Sequence, residues 1–334
     1  MPTIATDTLT LADWSKRLDP EGRVPDIVEL LSQTNEVLND MLWLEGNLPT
    51  GHRTIVRTGL PDVAWRKLNY GVPQSKSKTA QVDEACGMLE AFGQVDKDLA
   101  ELNGNTSSFR MSENMAFLES MNQSQAQTLF YGDTSVNPER FLGLSARYSQ
   151  LSAANGENII DAGGSGSDNC SVWLVVWGRN TVHGIFPKGS RAGLVHEDLG
   201  LDTVTDEDGN KYRAYQDRYQ WKCGMSLRDW RYVVRIANID VSDLGAVTGT
   251  QALTAGTNII KTMIKAIHRI PAMGMGRPVF YANRTVRQYL DIMALDKSTN
   301  ALSIAESAGQ FKTNFLGIPI RTCDALLNNE TRVV

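Results

Sequence analysis

Cysteine and histidine are scarce in this chain, four of each in 334 residues, and that removes several classes of function at once. Cys86, Cys170, Cys223 and Cys323 stand far apart without a C-x-x-C pair, which argues against a zinc or dithiol redox site and against a secreted disulfide scaffold. Reduced, buried thiols are expected. His52, His183, His196 and His268 lie in separate segments without metal-ligand or triad spacing, so no catalytic and no metal residue is assigned, and each reads as a surface or loop histidine. No apolar run reaches the roughly 20 residues that span a bilayer, and the opening MPTIATDTLTLADW lacks a basic region followed by a long apolar one. A product of the cytoplasm without membrane association is expected. Positive charge is also short: the net charge is −5, so a surface built throughout to neutralise phosphates is excluded and any nucleic-acid contact must be local. No repeat of 20–50 residues is visible, which excludes solenoids and propellers.

Motifs for small-molecule chemistry are fragmentary. Gly163-Gly164-Ser165-Gly166-Ser167 lacks the Gly-Lys-Ser/Thr ending of a phosphate loop and fails as a nucleophile elbow, so it reads as a turn between strands. Asp206, Asp208 and Gly209 resemble the start of a calcium loop, but the closing Glu is missing; Asp208-Gly209 reads as a hairpin turn. No cofactor is implied.

What is present is a chain of 42% hydrophobic and 21% charged residues, enough to fold around a sizeable core. Residues 1–45 read as an N-terminal arm, with Ile27, Leu30, Leu31, Val37, Leu38, Met41 and Leu42 at helical spacing after Pro25. Residues 46–82 read as an extended hairpin. Arg53, Arg57, Arg66, Lys67, Lys76 and Lys78 oppose the single Asp62 over His52–Thr79, and the segment is too polar to bury itself. Residues 83–240 open with a strand around Cys86–Leu89, a helix over Gln94–Asn103 and a long helix over 108–131 with Gly132 as its stop. Val172–Trp177, Val182–Phe186, Tyr212–Trp221 and Tyr232–Ile239 follow as strands of an antiparallel sheet. Residues 241–325 hold helices over Thr257–Arg269 and Val286–Met293 and strands at Pro278–Ala282 and Phe315–Arg321, and 326–334 reads as a C-terminal strand or tail around Thr331–Val334. The fold class is α+β.

Cations interleaved with Trp65 and Tyr70 have two readings: a clamp on single-stranded nucleic acid, or a surface that meets acidic patches of another copy, such as Asp202–Asp208 or Asp96–Glu101. The runs EGNLPTGHRTIVRTGLPDVAWRKLNYGV, QVDKDLAELNGNTSSFR, TLFYGDTSVNPERFLGL, NIIDAGGSGSDNCSVWLVVWG, GIFPKGSRAGLVHEDLG and WRYVVRIANIDVSDL resemble major capsid proteins of short-tailed, Bordetella-type bacteriophages. The resemblance runs from about Leu9 to Asp324 and implies the Hong Kong phage-type major capsid fold. Its parts would be the N-arm, the hairpin as the family's E-loop, a peripheral domain over 83–240 with the 108–131 helix as spine, and an axial domain over 241–325. The strand-rich stretch precedes the late helical unit here, which suggests permuted connectivity.

The resemblance implies a virion protein, made in the host bacterium's cytoplasm, that assembles into hexamers and pentamers of an icosahedral head around double-stranded DNA. Portal, scaffolding and cement or decoration proteins would be its partners, and the DNA contact would not be sequence-specific. The arm that begins near Met1 suggests a separate scaffolding protein or a short processed segment. Inter-subunit contacts are expected from Arg53, Arg57, Trp65, Arg66, Lys67, Tyr70, Lys76 and Lys78 of the hairpin and from Trp14, Ile27, Leu30 and Leu31 of the arm, without a covalent crosslink. Alternatives are an encapsulin-like bacterial cargo shell of the same fold and a nucleic-acid-binding module.

Overall fold

A computed structural model of the chain describes residues 33–102, 106–206, 208–245, 250–295, 302–307 and 310–334. Its organising element is strand β5 (Asn169–Trp177), buried at every position. Successive side chains of a strand point to opposite faces, so Trp173, Val175 and Trp177 enter one apolar core while Val172, Leu174 and Val176 enter another. A strand covered on both sides reads as an unbroken apolar run, which is why this one is conspicuous in the sequence.

β9 (Val233–Asp240) and β10 (Arg277–Ala282) flank β5, both antiparallel to it. Beyond β10 lie β13 (Ile318–Thr322), β12 (Gln310–Phe315) and β11 (Leu302–Ser307). β4 (Ile159–Asp161) borders β9. One face packs on the C-terminal half of the long helix through Ala126, Leu129 and Phe130, with Phe141, Leu144 and Tyr148 beside them. The other packs on helices at Thr250–Arg269 and Arg284–Leu295 through Ile259, Met263, Val286 and Leu290. The boundary expected at 240/241 therefore falls inside one sheet, because β5 and β9 lie on one side of it in sequence and β10 and β13 on the other.

The sheet continues through β6 (Val182–Phe186) to β8 (Lys211–Leu227), which pairs with β7 (Leu194–Thr205) and β3 (Lys78–Asp96), and β3 pairs with β2 (Gly51–Gly59). Among the described residues thirteen strands are joined. The expectation of an antiparallel sheet is corrected to a mixed one: β1 (Trp43–Glu45) runs parallel to β6, β4 to β9 and β10 to β13.

The long helix spans Thr106–Tyr131, 26 residues or about 39 Å. Gly132 ends it, donating its N–H to Thr128 O at 2.8 Å, and a side chain there would strike the carbonyls of Thr128 and Phe141.

Four local expectations change. The helix drawn on to Leu42 is, within the described residues, only Val37–Asp40, because the backbone at Leu42–Glu45 is captured by the edge of β6. The helix expected from Gln94 starts at Lys97: β3 holds the chain through Asp96, whose carboxylate caps the N–H groups of Asp98 and Leu99. Residues 331–334 form no strand. Asn238 does the pairing instead, accepting from Val333 N at 2.8 Å and donating to Val333 O at 2.9 Å. Phe315–Arg321 is two strands, turned at Leu316-Gly317, where both φ are positive.

Candidate assembly surface

β2 and β3 form the two rails of a hairpin, in register from Gly51↔Ala85 to Arg57↔Thr79 and shifted by a bulge before Gly59↔Lys78. Its root is held by polar contacts, of which those of Glu84 and the two histidines are taken out of water. Glu84, 7% exposed, receives Arg147 Nη1 and Nη2 at 2.7 and 2.5 Å, and Arg147 ends a short helix (Leu144–Arg147) packed in the core. Asn47 accepts from Arg53 N and donates to Arg53 O, both at 2.7 Å. His52 and His183 meet edge to face with ring centres 5.9 Å apart, and Arg228 Nη2 lies 3.4 Å from His52 Nε2. Both rings are buried, at 9% and 1% exposure, which corrects the expectation of surface histidines; β2 and β6 come into contact here, a long-range contact that the sequence does not show. Burial pushes the His183 pKa down to about 4, and Arg228 and His52 push the same way. His52 is lowered by burial and Arg228 against the opposing field of Glu84.

Beyond the root the hairpin leaves the body. Residues 60–77 are irregular and exposed throughout. The loop is closed by its own hydrogen bonds: Arg66 Nε to Tyr70 O at 3.1 Å, Tyr70 N to Lys67 O at 3.2 Å, and Ser75 Oγ to Asp62 O at 2.8 Å. Asn69 takes the left-handed conformation at the turn (φ 67°), a position where a short polar side chain is tolerated.

Trp65, Arg66, Lys67, Tyr70 and Lys76 are all exposed on this loop, and Lys78 begins β3 at its end. Arg57, at the end of β2, lines a groove of about 800 Å³ with Val56, Leu60, Val82 and Trp230. Arg53 is not a free cation: it grips Asp83 across the strands with two bonds of 2.7 Å, and this pairing holds the Asp83 carboxyl below its usual range. Trp14, Ile27, Leu30 and Leu31 lie outside the described residues.

Sequence reasoning missed the apolar half of the tip. Leu60, Val63, Leu68 and Val72 are 80%, 92%, 90% and 49% exposed, beside Trp65 at 102% and Tyr70 at 69%. The signal was an apolar or aromatic residue every two to three positions inside a segment read for its charge. Of the acidic patches, Asp202 and Asp208 are exposed at the β7–β8 hairpin, while Asp206 is used in its turn, accepting from Asn210 N at 2.7 Å; Glu207 lies outside the described residues. Asp96 caps a helix and Glu101 receives Tyr215 OH at 3.0 Å.

A rigid root, a projecting loop and large apolar side chains in water amount to a surface for another protein. Among the described residues no group of three or more His, Cys, Asp or Glu converges as metal ligands would.

Comparison with known proteins agrees with this reading. Residues 19–334 match the family model described as major capsid protein GP7. The solved structure of bacteriophage Epsilon15 contains a chain 35% identical to this one, covering 100% of it and 99% of that chain, with a TM-score of 0.77. The capsid of bacteriophage JBD30 (9% identity, 89% and 92% coverage, TM-score 0.46) and an encapsulin of Synechococcus elongatus (10%, 69% and 96%, 0.40) are more distant. No curated protein matches the sequence. With a family match over nearly the whole chain and a third of its residues shared along the full length of a solved phage protein, the chain belongs to the GP7 family of bacteriophage major capsid proteins.

Proposed function

We propose that this major capsid protein builds an icosahedral head from hexamers and pentamers, with the β2–β3 hairpin as the arm that each subunit lays across a neighbour. The observation that carries this is the tip itself: Leu60, Val63, Trp65, Leu68, Tyr70 and Val72 stand in solvent at the end of a hairpin whose root is fixed. Burying one such side chain is worth roughly 1.5–3 kcal/mol, so six on a neighbour give on the order of 10 kcal/mol before ordering costs are subtracted. Contacts of that net strength, repeated over a closed shell, permit correction during growth and stability at completion. Arg57, Arg66, Lys67, Lys76 and Lys78 around the tip would meet acidic surface such as Asp202 and Asp208 of the adjacent copy, setting register more than affinity.

The head would enclose double-stranded DNA through contacts indifferent to sequence. The protein would act in the virion after synthesis in the host bacterium, together with portal, scaffolding and cement proteins. Its family is not an enzyme family, and we assign it no catalytic role. Electron microscopy of the expressed chain with scaffolding protein tests the reading. Closed shells are expected; monodisperse monomers at high concentration would refute it, and small particles that load a tagged enzyme and exclude DNA would favour a cargo shell.

A further inference from the structure

The N-terminal half of the Thr106–Tyr131 helix leaves an apolar ridge in water. Met111, Met115 and Leu118 are 67%, 52% and 37% exposed, and lie within about 60° of one another around the helix at 100° per residue. Beside them runs a groove of about 420 Å³, walled by Leu194 and Tyr219 of β7 and β8. Its charged groups are paired with one another, and of the Arg110 guanidinium only the buried Nε is left without a partner. Asp217 accepts from Arg110 Nη2 at 3.0 Å and Asn114 Nδ2 at 3.1 Å and faces His196 Nε2 at 2.9 Å; Arg110 also reaches Asp198 at 2.8 Å, and the His196 ring stacks on Tyr219 at 4.7 Å. What the ridge offers is therefore apolar area without an ionic demand.

The chain itself arrives at this ridge. Gln33 donates its backbone N–H to Glu119 Oε1 at 2.8 Å, and the Gln123 side chain binds the same oxygen at 2.8 Å. Glu119 sits one turn beyond Met115 and two beyond Met111, at the edge of the ridge, about 40° around the helix from Met115 and about 80° from Met111. The residues just before Gln33 carry Ile27, Leu30 and Leu31 at i, i+3, i+4 spacing. Met111 to Glu119 is about 12 Å along the helix axis, while the six residues from Ile27 to Gln33 span about 9 Å if helical and about 20 Å if extended. An extended segment reaches Met111, and a helical one reaches Met115, about 6 Å from Glu119.

We infer that residues 26–32 cover the ridge of their own subunit, with Ile27, Leu30 and Leu31 against Met111, Met115 and Leu118. These three residues then serve as an internal clasp on the long helix, in place of the neighbour contact expected for them from the sequence. The occupant is the same copy because the tether at Gln33 gives it an effective concentration near the millimolar range, which a free segment of another subunit must outcompete. The inference is independent of the role proposed for the hairpin.

The test joins cysteines with a short bismaleimide in the full-length chain, in a Cys86→Ser background, before assembly and in shells. Leu30→Cys with Met115→Cys should give an internally linked monomer, as should the anchor pair Gln33→Cys with Glu119→Cys. Linked dimers alone, or no product from the first pair while the anchor pair reacts, would overturn the inference, and so would failure of the anchor pair. In a second measurement, deleting residues 1–32 should speed hydrogen exchange of the 111–118 amides by about tenfold, equivalent to about 1.4 kcal/mol of lost protection. Unchanged exchange would count against the clasp.

Discussion

Arg235 and Glu330, ninety-five residues apart in sequence, meet at 2.9 Å with both side chains at most 5% exposed. The guanidinium also donates to Tyr148 O at 2.8 Å and Ser171 Oγ at 3.1 Å and lies over the Trp173 ring, while Glu330 receives the hydroxyls of Ser171 and Tyr131. This network ties the C-terminal residues to the central strands. Removing one partner strands a buried charge, so Glu330→Ala should cost about 3–5 kcal/mol in urea denaturation, and Arg235→Met with Glu330→Leu clearly less than the two single losses added. Strict additivity would contradict the coupling.

The root of the hairpin should depend on a second buried pair. Arg147→Ala leaves the Glu84 carboxylate without its two guanidinium bonds, and the hairpin should then open more often. Limited trypsin digestion checks this: cleavage at Arg57 should accelerate in the variant, and an unchanged rate would show that the strand ladder alone holds the root.

Trp65 makes a sharper test of the tip because it is wholly exposed. Trp65→Ala should alter subunit stability by no more than about 0.5 kcal/mol, yet reduce shell yield strongly. Deleting residues 56–75 should leave a folded subunit that closes no shell. Normal particles from the deletion, seen by electron microscopy, would remove the hairpin from the assembly mechanism.

His183 predicts a pH window. Its pKa is about 4 in the folded chain against 6.5 for an unperturbed histidine, so between those values the unfolded chain takes up a proton that the folded one refuses. Stability should fall as pH drops below 6.5 and this contribution should level off below about 4, a loss on the order of 3 kcal/mol. Urea midpoints at pH 7, 5.5 and 4.5 should show a steeper decline in the wild type than in His183→Gln; parallel curves would rule the residue out.

The thiols should be quiet. Burial raises Cys170, Cys223 and Cys323 to about 12 and half-buried Cys86 to about 11, so thiolate is scarce at pH 8. A maleimide should label Cys86 slowly and the other three only after denaturation, with mass spectrometry counting the adducts.

Sequence patterns served best where burial is simple. The strands from 169 to 186 and the late strand at 277–282 follow from period, length and turn residues, since each is covered by core on the face its apolar residues mark, and the long helix follows from its length and its Gly132 stop although only its C-terminal half is covered. β7 escaped notice because it is an edge strand: its pairing with β8 rests on backbone bonds and a bulge at Asp198/Gly200, and most of its side chains face water. The hairpin was visible as a charged segment, but not its apolar tip, whose residues gain meaning only when the loop is seen to pack on nothing in its own subunit. The buried histidines, and the ion pairs of Glu84 and Glu330, join segments more than sixty residues apart in sequence, and one sequence contains no signal for such pairs.

β3 belongs to two structures at once. Lys78–Ala85 pairs with β2 in the hairpin, Cys86–Asp96 pairs with β8 beneath the long helix, and the nineteen residues form a single strand of roughly 60 Å. Such a strand is a lever. If a neighbour holds the tip as proposed, tilting it would turn the far end of the same strand, and a rearrangement of the shell lattice would be felt inside each subunit as torque on the long helix.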